Sequence, residues 1–364
     1  MIPPGSPTPQ DCHAVRRASS QDERGRVRHD IVRRPLTCAT VRGVAEDADS
    51  TATTGLEARV RIAVATPDGV VGVGTATHVL AGQDVVALAG DGATVWAAGR
   101  GGEVWRCAGL DGPDPTAVRV GSVEGGVTCL LPFGPGVLAG SAGAHLWLLA
   151  DDASAQGRAT LVDAFEHAED RYDWFTPWGA PPDVRSLARG SDVVLVNVHV
   201  GGILRATALT GPWRASIDIH ADVHQVIGSG RRDGAAFAAT AFGLAVSPDD
   251  GRTWRLVDDG LPTTYARAVA VCADAVLLSA SSGPDGEQSH LYRRPVGGDE
   301  PFTQCRSGLP DSFDGNLDTF RLAGAASQAG LVTARGDVYA SDDSGASWQQ
   351  VASGIRRPRA LLIL

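Results

Sequence analysis

Five polar side chains interrupt apolar segments in the middle of the chain: Arg185, His199, His224, Tyr265 and Arg267. Two guanidiniums beside imidazole and phenol groups suit an anion, because arginine presents a planar fork of donors that matches a carboxylate, a phosphate or an acidic sugar. His199 and His224 with Asp222 also have the residue types of a metal site, but ligands divided between two segments carry no diagnostic spacing. A second constellation is acidic. The stretches "SPDDGRTW" (247–254) and "SDDSGASW" (341–348) each set two aspartates next to or near a glycine. Such a pair could be a metal loop, an acid/base pair or only a tight turn, and the surrounding elements have to decide which.

Composition removes several chemistries. All 32 basic residues are arginine, so neither a phosphate-binding loop lysine nor a Schiff-base lysine is available. A formal charge of -10 argues against general nucleic-acid binding, which needs a basic face to displace counterions. The six cysteines (Cys12, Cys38, Cys107, Cys129, Cys272, Cys305) include no C-x-x-C pair, and four lie in or beside apolar strand patterns, where a thiol acts as a small hydrophobe. No segment approaches the roughly 20 apolar residues that cross a bilayer, and no hydrophobic leader opens the chain. A cytoplasmic, monomeric protein without a cofactor, and with no membrane or nucleic-acid partner, is the expectation.

The elements that must position these side chains are short and repeated. The two acidic stretches start 94 residues apart, twice 47, and between them "GDEPFTQC" (298–305) puts Phe302 where they put Trp254 and Trp348. "TGPWRAS" (210–216) supplies Trp213 one unit earlier, and a closing phrase recurs as "DDGLP" (258–262), "RSGLP" (306–310) and "ASGIR" (352–356). Each unit opens on an apolar strand, for example "DVVALAG" (84–90), "DVRSLAR" (183–189) and "DTFRLAG" (318–324), then turns a glycine-containing corner into a third strand. Four strands in about 40–50 residues, repeated, is the pattern of a β-propeller blade. Six complete units fit between 83 and 355, and residues 59–82 give three strands of a further blade. The last residues, "RPRALLIL" (357–364), match an opening strand and would complete that blade, which removes both exposed sheet edges. The expected fold is all-β: a seven-bladed propeller over 57–364, closed by the C-terminal strand. Residues 1–56, rich in proline and mixed charge, are expected to be a disordered tail or an unused upstream extension.

In this frame the candidate residues are departures from a repeat. The third position of the opening strand reads Val86, Thr128, Arg185, His224, Arg267 and Phe320 in six successive blades, so blades four to six carry Arg, His, Arg. Tyr265 replaces an aspartate that recurs at the first position (Asp84, Asp183, Asp222, Asp318), and His199 stands at a corner otherwise built from Gly or Thr. All five are expected at one side of the channel mouth. Two insertions frame it: 165–182, with Tyr172, Trp174, Phe175 and Trp178, read as a rigid plug, and 280–292, with Asp285, Glu287 and His290, read as a solvated loop.

"SPDDGRTW" and "SDDSGASW" match the S-x-D-x-G-x-[TS]-W Asp-box, and on this motif the chain resembles the BNR/Asp-box propellers, a group that includes sialidases, sortilin-type receptors, reelin and photosystem II assembly factors. The resemblance implies that the box is a turn between the third and fourth strands, on the face away from the active site. Ser247, Asp249, Gly251, Trp254, Ser341, Asp343, Gly345 and Trp348 are then structural: hydroxyl and carboxylate cap backbone N–H groups, and the indole packs between sheets. For a sialidase the resemblance implies an arginine trio, a Tyr/Glu nucleophile pair and an Asp acid/base in six blades after an F/Y-R-I-P segment. This chain offers Arg185, Arg267 and Tyr265, has no such segment, and counts to seven. The expected function is therefore a non-catalytic propeller binding a small anionic ligand or a protein; the alternative is a sialidase-like glycoside hydrolase, or a lyase, acting on an acidic carbohydrate.

Overall fold

The computed structural model describes residues 60–364, except 76, 93, 151–156, 177 and 232; the expected tail at 1–56 lies outside the described residues. These residues form seven antiparallel sheets in chain order, six of four strands and one of five. The second strand of each blade is almost wholly buried and rich in small residues, as in Val95–Gly99, Ala236–Thr240 and Ala275–Ser281. A strand covered on both faces by neighbouring blades must be apolar throughout, and near the axis the wedge between blades admits only small side chains. The ring closes as the repeat requires: Ala360–Ile363 pairs with Ile62–Thr66 and becomes the inner strand of blade one.

Among the described residues the apolar core is divided between the blades. Seven apolar clusters are each shared by one pair of adjacent blades, including a cluster joining blades seven and one through Val332, Val338, Ile62 and Val64. The closing phrase stitches these pairs together. Asp259 and Ser307 accept the N–H of Phe302 and Trp348 in the next blade at 2.8 and 3.0 Å. A Cβ on Gly308 (φ 77°) would lie 1.7 Å from the Trp348 carbonyl oxygen, so only glycine fits.

Two features depart from the sequence expectation. Blade six gains a fifth strand, Phe313–Asp314, on the start of Gln288–Pro295. In blade seven the inner strand begins at Leu322 rather than at Asp318. Arg321 N–H closes a turn onto the Asp318 carbonyl at 3.0 Å and Phe320 takes φ 68°, which lifts Asp318–Arg321 out of the sheet.

Candidate functional site

The inner strands share one irregularity that places the candidate side chains. In blades two to six the pairing between first and second strands slips at a single residue: Val86, Thr128, Arg185, His224 and Arg267. These are the third positions of the opening strands. An extra residue in a bulge leaves the ladder, bends the strand and re-aims its side chain, here toward the channel. In blade one the same register falls on Arg359, whose N–H bonds Ala65 O at 2.8 Å just before the strand Ala360–Ile363. Aligning "RPRALL" with "DVRSLA" would have found it.

Two residues of blade seven reach across the channel. Thr319 Oγ1 donates to the carbonyls of His224 and Arg267 at 3.3 and 3.0 Å, while Phe320 packs on the clusters of blades one to four. These two residues of blade seven fill the axis and floor a cavity of about 410 Å³, lined by Val86, Thr128, Arg185, Arg100 and Arg359 among others.

The five residues singled out in the sequence form two contacting groups. An Arg185 NH1 hydrogen donates to His199 Nε2 at 2.8 Å, so His199 Nε2 is an acceptor and Nδ1 carries the hydrogen toward Asp183 Oδ1 at 3.3 Å. The His224 and Tyr265 rings lie 4.6 Å apart, and the Arg267 guanidinium stands 5.7 Å from the Tyr265 ring centre. Of the five, only Arg185 lines the cavity described above. Arg100, Arg359, Thr319 and Phe320 line it too and were not singled out.

Charge compensation separates the arginines. The recurring first-position aspartates use their backbone carbonyls to accept N–H groups of the following corner, as Asp84 does for Arg100, Asp183 for His199 and Asp222 for Ala241. Their carboxylates hold the cations of the mouth: Asp84 takes Arg100 Nε at 2.6 Å and Arg359 at 3.0 Å, and Asp318 takes Arg267 at 2.5 Å. Burial works against the Arg267 charge, but the bonds to Asp318 and Tyr265 outweigh it and hold that guanidinium above its usual range. Arg185 is different. Among the described residues no carboxylate lies within ion-pair distance of it, and burial together with the Arg267 charge pushes it below the usual arginine range. His224, with its side chain 1 % exposed, donates Nδ1–H to Ala266 O at 2.6 Å, and burial pushes it down; the nearby Asp222 carboxyl is held low, first by its bond to His224. Among the described residues no group of three His, Cys, Asp or Glu side chains is placed to hold a metal.

The insertion 165–182 divides. Phe165 and Trp174 are buried, with Phe165 edge-on to Trp213 at 5.1 Å, whereas Tyr172, Phe175 and Trp178 stay exposed. Trp178 lies 5.1 Å from the His199 ring, so the loop reaches the mouth. In the insertion 280–292, Glu287 is exposed and Asn316 closes the corner by donating to Gly283 and Pro284 carbonyls at 3.1 and 2.9 Å.

At the opposite end lie the two acidic turns, and they are alike. Asp249 Oδ1 accepts from Ser247 Oγ at 2.9 Å and Thr253 N at 2.9 Å; Asp343 Oδ1 accepts from Ser341 Oγ at 2.7 Å and Ser347 N at 2.9 Å. The serine hydroxyls in turn accept Gly251 and Gly345 N–H at 2.8 and 2.9 Å. Both join third and fourth strands, and every carboxylate oxygen of Asp249 and Asp343 is occupied by its own turn.

Comparison of folds adds the architecture and no more. The chain is similar to apo AztD from Citrobacter koseri at TM-score 0.56 and 15 % identity, covering 84 % of this chain and 98 % of that one. It is similar to an ancestral GH74 enzyme at 0.52 and 13 %, of which it spans 39 %, and to the RRP9 WD40 repeats at 0.52 and 10 %, covering 80 % of this chain and 83 % of that one. At these identities the likeness is that of a propeller. No protein-family model and no curated protein matches the sequence.

Proposed function

We propose that this propeller is a non-catalytic binding module that takes a small anion in the mouth cavity. The observation that carries the reading is Arg185: a half-buried guanidinium on a cavity of about 410 Å³, bonded to a neutral imidazole while the neighbouring arginines hold carboxylates. A carboxylate or phosphate would give it the bidentate partner it lacks, with the Thr128 and Thr319 side chains and the Gly125–Gly126 backbone around it. The sialidase-like reading would need, besides a Tyr/Glu pair, an aspartate at the mouth free to act as acid/base. Asp84 and Asp318 are bonded to arginine, and Asp183 and Asp222 lie against histidine. The two matching S-x-D-x-G turns support grouping the chain with the BNR/Asp-box propellers.

The test is a thermal-shift titration of the full chain with uronates, sialic acid, sugar phosphates and dicarboxylates. A ligand at 100 times its Kd stabilises the native state by about 2.7 kcal/mol, visible as a raised Tm. The shift should vanish in Arg185→Met, whose own Tm should stay near that of the parent. If no acid shifts Tm, or if the shift survives in Arg185→Met, the mouth is not an anion site.

A further inference from the structure

A second cleft lies at the other end of the molecule, between blades five and six, and its origin can be read from the repeat. In blades five and seven the turn between third and fourth strands is tied to the preceding blade by one arginine. Arg205 Nε donates to Asp250 O at 3.1 Å, and Arg293 Nε donates to Ser344 O at 3.0 Å. Asp250 and Ser344 both sit at positive φ, 57° and 56°, which aims the carbonyl back at that arginine. Blade six loses the motif and its turn is one residue longer: Val246 pairs with Arg255 but Arg293 with Thr303, so Arg294 stands where blade five has Ser247. Its preceding blade carries Val246 at the place of Arg205 and Arg293. With no arginine at that place to reach the turn carbonyl, a cavity of about 390 Å³ remains between Val246 and Gly298.

The walls of this cavity are mostly apolar, with Phe237, Leu244, Trp254 and Val276 among them. Arg294 also lines it and is 3 % exposed. Its guanidinium stands 5.4 Å from the Phe302 ring centre and one nitrogen donates to Gly298 O, but NH1 has no hydrogen-bond partner. Among the described residues no carboxylate forms an ion pair with it: Asp299, Glu300 and Asp259 lie near enough to favour its charge without bonding it, and Asp299 pairs with Arg255 at 3.4 Å. A buried cation with an unused donor is costly unless an anion completes it. We propose that this inter-blade cleft binds a small carboxylic acid with an apolar or aromatic body, its carboxylate on Arg294 and its body against Phe237, Leu244 and Trp254. Arg255 lines the same cavity with its charge shared with Asp299, which leaves Arg294 as the cation with an unused donor there. The site is independent of the mouth, which opens on the other face.

The experiment is calorimetric titration of the full chain with 3-phenylpropionate and, as a neutral isostere, 3-phenylpropionamide. The acid should bind, and the amide should bind at least about tenfold more weakly, the loss that one charge-assisted hydrogen bond entails. Arg294→Met should weaken the acid by a similar factor. Val246→Arg, which restores the missing tie and fills the cleft, should abolish binding while keeping a parental Tm, and Arg185→Met should leave binding unchanged. Equal affinity for acid and amide, undiminished binding to Arg294→Met, loss of binding in Arg185→Met, or no binding at roughly 10 mM acid would each overturn the proposal.

Discussion

Phe320 gives the sharpest test of how the ring is filled. Its side chain is half-buried at the axis and touches the clusters of blades one to four, while its backbone sits at φ 68°. Truncating a fully buried phenylalanine to alanine costs about 3–5 kcal/mol, so half burial implies about 2 kcal/mol for Phe320→Ala. In a domain of this size that is a fall in Tm of roughly 3 °C. Glycine in place of alanine normally costs up to about a further 1 kcal/mol. Here the order should reverse, because alanine at positive φ is strained and glycine is not. Differential scanning calorimetry of the parent, Phe320→Ala and Phe320→Gly reads both effects. A Tm for Phe320→Ala within about 1 °C of the parent, far less than half burial implies, would mean that Phe320 does not plug the channel. A Phe320→Gly protein less stable than Phe320→Ala would refute the reasoning from backbone conformation.

Other outcomes follow from the same geometry. His224 is held below its usual range, so the unfolded chain binds its proton first: stability is full above the unfolded value near 6.5 and is lost as pH falls below it. The urea midpoint should therefore drop as pH falls below about 6.5, and His224→Asn, which keeps a donor for the Ala266 carbonyl, should flatten that slope. Asp249→Ala and Asp343→Ala each remove a carboxylate that accepts from a hydroxyl and from backbone N–H groups, and each should cost about 1–3 kcal/mol in urea unfolding with ligand binding at the mouth untouched. Burial pushes the thiols of Cys129, Cys272 and Cys305 up to about 12 and that of Cys107 to about 11. Native protein treated with iodoacetamide at pH 8 should yield none of these four alkylated peptides by mass spectrometry, and all four after denaturation.

Blade count, blade boundaries and closure were legible because each rests on local patterning. A strand buried on both faces must be apolar, a corner needs glycine, and the S-x-D-x-G turns satisfy their own backbone, so each unit writes its signature into contiguous residues. The third position of the opening strand was also visible as a column, since a bulge recurring at one register exposes the same position in every blade. What escaped were features whose partner is distant. Arg359 belongs to that column but lies 174 residues beyond Arg185, at the end of the chain. Phe320 stands in the column with Val86 and Thr128 as an ordinary apolar member, because its role as a plug depends on contacts with four other blades.

The sequence by itself determined the all-β repeat and the closure of the ring by its last strand. Only the tertiary structure decided which charges are spent. Arg100, Arg267 and Arg359 cannot be told from Arg185 or Arg294 in a string of residues, because what separates them is whether a carboxylate from another segment arrives within bonding distance. Hydrophobic pattern is written along the strand, but charge compensation at the axis and between blades is settled by side chains that meet only after the ring has closed.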